Sequence, residues 1–571
     1  MKRNLSRLTD SEFDLVVIGG GIFGACAAWD AAQRGLSVAL IDRGDFCGAT
    51  SANHLKMVHG GIRYLQHGDI YRLRQSSGER RAFLRIAPHL VRPLPVVIPT
   101  YGHGMKGKAV LRTGMAIYDL LAADRNQGIT DPARRIPPGR TLGTDEILRM
   151  FPGVPRRGLT GAGVFCDAQI HNPPRLVFAI LQSAVQTGAQ IANYVEATGF
   201  VRRNGRIVSL QARDALTGSD FEIRGRVVLN AAGPFAERLL DRTLGTRLTP
   251  RGVYSRDACF ILSRKLLDHG HALAIQGATR DPDARFSRGA RHLFIAPWRD
   301  YTLVGVWHVV WEKDPESVVV TDEELNKFIA EVNGACPSFG ISLDDVSRWN
   351  AGLVPFGQNA PGSKDLRYGH RSRLIDHAAT DGIQNLITLI GVRFTTGRFE
   401  AERAIDLVYR KLKRNPISCR TINTPVFGGG IEQFGTYVSR AVSEFRGDLP
   451  EAVIENLVTT YGTQFRQIVR HISENSSLCE SIGLSSVIKA QIIHAVREEM
   501  AQNLGDVVFR RTDLATGNYP GREALRECAE ILAVELGWNQ SRIEQEINGA
   551  IKKFRPAHVQ KVDAFDSVVA A

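Results

Sequence analysis

The feature that most constrains this 571-residue chain is a strand–turn–helix–strand pattern completed within its first 42 residues. Phe13 to Ile18 (FDLVVI) is a short apolar run of the kind a buried parallel strand needs. Gly19-Gly20-Gly21-Ile22-Phe23-Gly24 follows at once, then the small-residue stretch ACAAWDAAQRG, which predicts a helix ending at Gly35. Leu36 to Ile41 reads as a second strand, with Asp42 at its end. Gly19 permits the tight turn, Gly21 lets the backbone approach a pyrophosphate, and Gly24 lets the helix pack closely on the strand. The helix N-terminus offers unpaired N–H groups to phosphates. Asp42, 23 residues after Gly19, is placed to accept from a ribose 2′-OH. A dinucleotide-binding βαβ unit is the reading.

Composition narrows the rest. Hydrophobic residues make up 43% and charged residues 23%, a globular balance that excludes a disordered or fibrous chain. The length exceeds one ordinary core, so two domains, or one large enzyme domain with a cap, are expected. Lys and Arg total 72 against 59 Asp and Glu, a net charge of +13. That surplus suits an anionic small substrate, an anionic membrane face, nucleic acid, or a plain solvated basic surface. No nucleic-acid module or aromatic-interleaved basic stripe is present, so no nucleic-acid partner is expected. None of the eight cysteines forms a C-x-x-C pair, which removes zinc ribbons and thioredoxin-type motifs, and no metal is expected. Scattered free thiols point to a reducing compartment. MKRNLSRLTDSEFD lacks the apolar core of a signal peptide, and no run approaches a membrane span, so a cytoplasmic location is expected.

Later segments extend the first unit. Val227-Val228-Leu229-Asn230-Ala231-Ala232-Gly233-Pro234, an apolar strand running into small residues, resembles the second flavin-contacting strand of two-dinucleotide-fold flavoproteins, with Gly233 at the contact; an ordinary buried strand and turn is the other reading. Ala189 to Ala197, after a helix over Leu176–Thr187, sits where such proteins place a strand touching the adenine, which singles out Val195.

The resemblance then becomes specific. Gly48-Ala49-Thr50-Ser51, Lys56-Met57-Val58-His59-Gly60-Gly61-Ile62-Arg63-Tyr64-Leu65, Glu79-Arg80 and Ala87-Pro88-His89-Leu90 are similar to the flavin-binding signature of the FAD-dependent glycerol-3-phosphate dehydrogenases. Glu499-Met500-Ala501 and Asp506-Val507-Val508-Phe509-Arg510-Arg511-Thr512 resemble that family's C-terminal helical domain. The resemblance covers residues from about 12 to about 540. It implies an α/β fold: a Rossmann-like, two-dinucleotide-fold FAD domain with an inserted mixed or antiparallel-sheet substrate domain and a C-terminal helical domain. The expected boundaries are 12–250 with 365–410 for the discontinuous FAD domain, 251–364 for the substrate domain and 431–545 for the helical domain. The segment 424–430 (TPVFGGG) is a linker by composition.

The resemblance also implies FAD as cofactor and oxidation of sn-glycerol 3-phosphate to dihydroxyacetone phosphate, with electrons passing to quinone or another acceptor. Carried over by position, Thr50, Ser51, Gly391 and Thr395 join Gly19, Gly21, Gly24, Asp42, Val195 and Gly233 around the cofactor. Arg63, Tyr64, Arg371 and Arg393 would hold the anionic, phosphorylated substrate, Arg393 standing where the family has Lys. His59 and Arg63 belong to the catalytic segment, and Asp257 is the candidate replacement for the family's base. Two of these have a bland counterpart: a structural ion pair for Arg63, a loop-bonding buried histidine for His59.

Several positions depart from the family. Its G-V-R-P reads Gly352-Leu353-Val354-Pro355, and its K-G-S-H reads Arg256-Asp257-Ala258-Cys259. Thr50-Ser51-Ala52-Asn53-His54-Leu55 and Gly305-Val306-Trp307-His308 depart as well, making His54, His308 and Arg256 new polar groups of interest. These changes gather on the substrate side. They keep open a same-fold oxidoreductase for another polyol phosphate, hydroxy acid or amine, and a non-catalytic FAD-binding protein. Lys106, Lys108 and Arg112 beside Met115–Leu121, followed by Arg134, Arg135 and Arg140, suggest a face resting on an anionic membrane, with an ordinary packed helix as the alternative. The resemblance leaves room for a homodimer.

Overall fold

The computed structural model describes residues 1–102, 107–245, 253–280, 290–356 and 371–569. The expected boundary at 250/251, the segment start at 365, and Lys106 lie outside them.

Two sheets organise the chain. In the first, β1 (Glu12–Ile18) lies between β2 (Val38–Ile41) and β10 (Asp220–Asn230); β7 (Gln190–Ala192) follows β2, and β17 (Leu386–Ile390) and β16 (Arg373–Asp376) follow β10. All these neighbours are parallel except β16 with β17. The last four residues of β1 are fully inside, as a central strand covered on both faces must be. β8 (Val195–Arg203) and β9 (Arg206–Asp214) form an antiparallel extension on the first half of β10. The expected strand 189–197 is therefore two strands, broken at Tyr194, whose φ of 56° no strand residue adopts.

The helix Ile22–Gln33 begins directly after the glycine turn and is buried along most of its length. Its alanines let it lie against the helices Pro173–Gln186 and Gly397–Lys411. Gly397 is required where they meet, because a Cβ there would stand 2.6 Å from Ile22 Cγ1.

The second sheet runs β15 (Val346–Phe356), β11 (Val253–Leu262), β14 (Tyr301–Trp311), β13 (Ala290–Trp298), β12 (Ala272–Arg280), β4 (Val91–Tyr101), β6 (Leu159–Ile170) and β3 (Met57–Val58), with β5 (Arg140–Leu142) also on β6. Only β12 with β4 is parallel. This corrects the expected division. The second sheet is not confined to 251–364: β3, β4, β5 and β6 come from the span assigned to the FAD domain, and sequence periodicity carries no information about such long-range pairing.

One face of this sheet packs under the helix Asp322–Ala335, where Phe328 meets Phe260 and Trp307. The other face looks toward the loops of the first sheet. Beyond residue 431 the chain is helical with its own cores. That region is fastened to the first sheet by Arg511 and Arg510 on Asp45 and by Arg175 on Glu499 (2.6 Å). It is fastened to the second sheet by Ser347 Oγ donating to the Gly517 carbonyl (2.7 Å) and by Arg299 on Asp513 (2.9 Å).

Candidate active site

The glycine turn is shaped by contacts that no side chain could survive. A Cβ on Gly24 would stand 1.9 Å from the Gly19 carbonyl oxygen, and one on Gly19, whose φ is +103°, would stand 2.7 Å from the Ala231 oxygen. Gly21 faces Ser51, whose Oγ accepts the Ile22 N–H at 3.1 Å. Asp42 folds back over the same turn, accepting from the N–H of Gly20 (2.7 Å) and of Gly44 (3.0 Å). Burial outweighs those two donors and pushes its carboxyl up to about 6. Gly233, at φ +57°, and half-buried Ala232 close the far side at the end of β10. A backbone-lined hollow at a helix N-terminus, with a carboxylate at its rim, fits a dinucleotide.

Two predicted cofactor residues make bonds within the chain. Thr50 Oγ1 donates to the Leu353 carbonyl (3.0 Å) and accepts the Leu353 N–H (3.1 Å), tying the loop to β15. Val195 is fully buried and its N–H donates to the Asp42 carbonyl at 2.7 Å. Gly391 lies against the ring of Phe23, which a Cβ would approach to 1.8 Å. Thr395, in the turn after it, accepts the His59 N–H through Oγ1 at 3.2 Å.

His59 is pinned at its ring as well. Nδ1 lies 3.1 Å from Oδ2 of Asp167, which is on β6 and buried, while the histidine side chain is 47% exposed. Oδ1 of Asp167 accepts from the Gly60 N–H (2.7 Å) and from Arg80 (3.2 Å). Burial alone would raise the Asp167 carboxyl, but His59, Arg80 and Gly60 together hold it below the usual range. Asp167 was absent from the sequence reading. The available signal was its place as the single acid in the strand GAGVFCDAQI.

Arg393 opens the turn that carries Thr395. Arg393 donates to Tyr64 Oη (3.1 Å), Ser76 Oγ (2.7 Å) and Gln75 Oε1 (2.8 Å), all neutral oxygens, and among the described residues no carboxylate pairs with it. Arg63 is exposed one residue before Tyr64. Burial, reinforced by the Arg63 charge, pushes the His292 imidazole on β13 down to about 4. Arg371 is exposed and lies over the ring of Tyr71 at 5.2 Å. The structure thus brings Tyr64 and Arg393 together, and the turn that begins at Arg393 also holds the His59 backbone through Thr395.

Known proteins supply the remaining observation. The family model described as FAD dependent oxidoreductase matches residues 14–391, and that of the C-terminal domain of alpha-glycerophosphate oxidase matches 419–543. A glycerol-3-phosphate dehydrogenase of Synechocystis sp. is 31% identical over 95% of this chain and 97% of its own length. The chain belongs to the FAD-dependent glycerol-3-phosphate dehydrogenase family. The mitochondrial glycerol-3-phosphate dehydrogenase of Mesocricetus auratus is 30% identical over 95% of this chain and 73% of its own, and the aerobic enzyme of Staphylococcus haemolyticus is 28% identical over 97% and 96%. The fold matches that of the glycerol-3-phosphate dehydrogenase from Bacillus halodurans complexed with FAD, at a TM-score of 0.76 and 23% identity over 96% of each chain. FAD is the cofactor of this family, and the hollow at Gly19–Gly24 is the site that fits it.

Within this family member the departures can be placed. Side chains alternate along β11, so Asp257 and Cys259 face the loops of the first sheet while Ala258 and Phe260 face the 322–335 helix. Arg256 also points to that helix, where it pairs with Glu324 at 2.7 Å; it is not a pocket residue, and only the strand register reveals this. Asp257 Oδ1 accepts from His308 Nδ1 and from Ser255 Oγ, both at 2.7 Å, and is not brought to His59. Cys259 is 1% exposed, sealed under Leu55 and Gly305. His54 tilts against Phe394 at 4.6 Å. Burial, then the charges of Lys56 and His59, push its imidazole down to about 3. Val354 is half-buried on the same face as Ser255.

Proposed function

We propose that this chain oxidises sn-glycerol 3-phosphate to dihydroxyacetone phosphate. The observation that carries the reading is a half-exposed imidazole, His59, braced by a buried carboxylate and held by its backbone on the turn that begins at Arg393, a guanidinium whose partners among the described residues are all neutral. FAD, when bound, supplies the hydride acceptor. His59 takes the hydroxyl proton on its free ring nitrogen as the carbon gives up hydride. Arg393 and Tyr64, with Arg63 and Arg371, hold the phosphate; a planar guanidinium suits that anion better than the ammonium it replaces. The second sheet serves as the substrate wall, and His308–Asp257 contributes a polar group to it.

Anaerobic titration of the holoenzyme with sn-glycerol 3-phosphate tests the reading, with bleaching of the flavin absorbance as the expected result. An unbleached flavin that dithionite still reduces would turn the assignment to another polyol phosphate, hydroxy acid or amine. Val354 is the observation that favours that second reading, because an apolar side chain stands where the resemblance places a phosphate-binding arginine.

The electrons are assigned to quinone at a membrane surface. Ile70 and Tyr71 at the start of the helix Ile70–Ile86, and Val110, Ile117 and Leu120 on the helix Lys108–Leu121, are exposed. The two helices adjoin, since Arg74 donates to the Leu121 carbonyl at 2.7 Å, and Lys108 and Arg112 flank the apolar side chains. Such a surface suits peripheral binding to anionic lipid on the cytoplasmic face. Among the described residues no helix is long and apolar enough to cross a membrane.

A further inference from the structure

We infer that Asp167 is a positioning residue for His59, fixing the imidazole so that Nε2 is the nitrogen presented to the substrate hydroxyl. The inference rests on the reading of His59 as the base.

The geometry restrains the histidine twice. Its backbone N–H is held by Thr395 at 3.2 Å and its Nδ1 by Asp167 at 3.1 Å, and these anchors come from different parts of the fold. An ionised carboxylate only accepts hydrogen bonds, so Nδ1 must carry the proton and Nε2 keeps its lone pair. Asp167 is itself held on its far side. It is 3% exposed, and its second oxygen is occupied by the Gly60 N–H and by Arg80. Arg80 is wedged so tightly beneath Gly60 that a Cβ there would stand 2.1 Å from Nη1, and Tyr118 Oη donates to the Gly60 carbonyl at 3.0 Å. The residue after His59, Gly60, thus forms part of the mount that carries its partner. A fixed tautomer and ring angle is what a general base needs before substrate arrives.

The ionisable groups facing His59 are Asp167 from β6, with Arg80 and Tyr118 behind it, and His54 from the preceding loop. Asp167 alone bonds the ring among the described residues.

The test compares Asp167→Asn, His59→Gln and the double variant as holoenzymes, following flavin reduction by sn-glycerol 3-phosphate in single turnover across pH. Asp167→Asn should slow reduction by about a hundred- to ten-thousandfold, in the manner of other carboxylate–histidine pairs, with KM within a few-fold. Its acid limb should move to lower pH, because imidazolium loses its carboxylate. In the His59→Gln background the same change should cost nothing further. If Asp167→Asn fails to fold, nitrogen NMR of ¹⁵N-histidine-labelled wild-type enzyme decides instead, with the Nδ1–H tautomer expected at His59. A wild-type rate and pH profile in Asp167→Asn, or an Nε2–H tautomer, would overturn the inference while leaving the base assignment standing. Full activity in His59→Gln would remove the base assignment itself.

Discussion

Thr50 and Leu353 are joined by a two-way hydrogen bond, the hydroxyl donating to the Leu353 carbonyl and accepting its N–H. A side chain in the dinucleotide loop thereby completes the edge of β15 and ties that loop to the second sheet. Thr50→Val keeps the shape and removes both bonds. The buried polar groups it strands should cost about 1–3 kcal/mol. We expect a lower melting temperature and faster FAD loss, both measured by following flavin fluorescence on heating.

Arg393→Ala should raise KM for the substrate by about ten- to a hundredfold, the equivalent of one charged hydrogen bond of about 1.5–3 kcal/mol. Inorganic phosphate should lose its inhibitory binding in parallel. A KM unchanged by the substitution would place the anion elsewhere.

Val354→Arg tests the same pocket from the opposite side. If sn-glycerol 3-phosphate is the substrate and Val354 faces it, the added cation should lower KM by about tenfold. Steady-state kinetics on the two variants together show whether the arginines share one anion.

Lys56 gives a pH prediction. It is 3% exposed, its amine lies 4.7 Å from the ring of Trp298, and among the described residues no carboxylate pairs with it. Burial lowers its amine to about 8, the neighbouring arginines Arg348 and Arg299 adding to the effect. The unfolded chain holds the proton up to its ordinary value, so unfolding takes up a proton between about pH 8 and 10.5. On account of this group, stability rises with pH across that window and bears the full penalty below it. Lys56→Met should therefore stabilise the protein at neutral pH by up to about 3 kcal/mol, since one unit corresponds to about 1.4 kcal/mol. It should also flatten the dependence above pH 8, as chemical denaturation at several pH values would reveal.

Ile117→Asp with Leu120→Asp should abolish co-sedimentation with anionic vesicles while leaving flavin reduction by substrate unchanged. Persistent binding would assign the apolar face another role.

Legibility in the sequence followed the range of each interaction. The glycine turn was readable because its reasons are local: Gly19 and Gly24 touch each other, and Asp42 closes over Gly20. The segment from His59 to Tyr64 was readable through resemblance. Asp167 was not, since it meets His59 across 108 residues and sits in a strand that otherwise reads as apolar core. Arg256 was misplaced for a related reason. Adjacent strand residues face opposite ways, and only the pairing of β11 with its neighbours shows that Asp257 faces the loops and Arg256 the helix. The break before Val195 was not readable, because the chain turns at Tyr194, where nothing in the local pattern announces a positive φ.

The interleaving of the two sheets has a consequence for how this enzyme is made. β1 waits for β10, and β10 for β17, while Val96 on β4 finds its parallel partner only at Ala272. During synthesis, neither sheet can close before most of the chain has left the ribosome. Until then β4 offers the cell an open strand edge, and a nascent chain of this kind depends on whatever shields that edge while the ribosome delivers the rest.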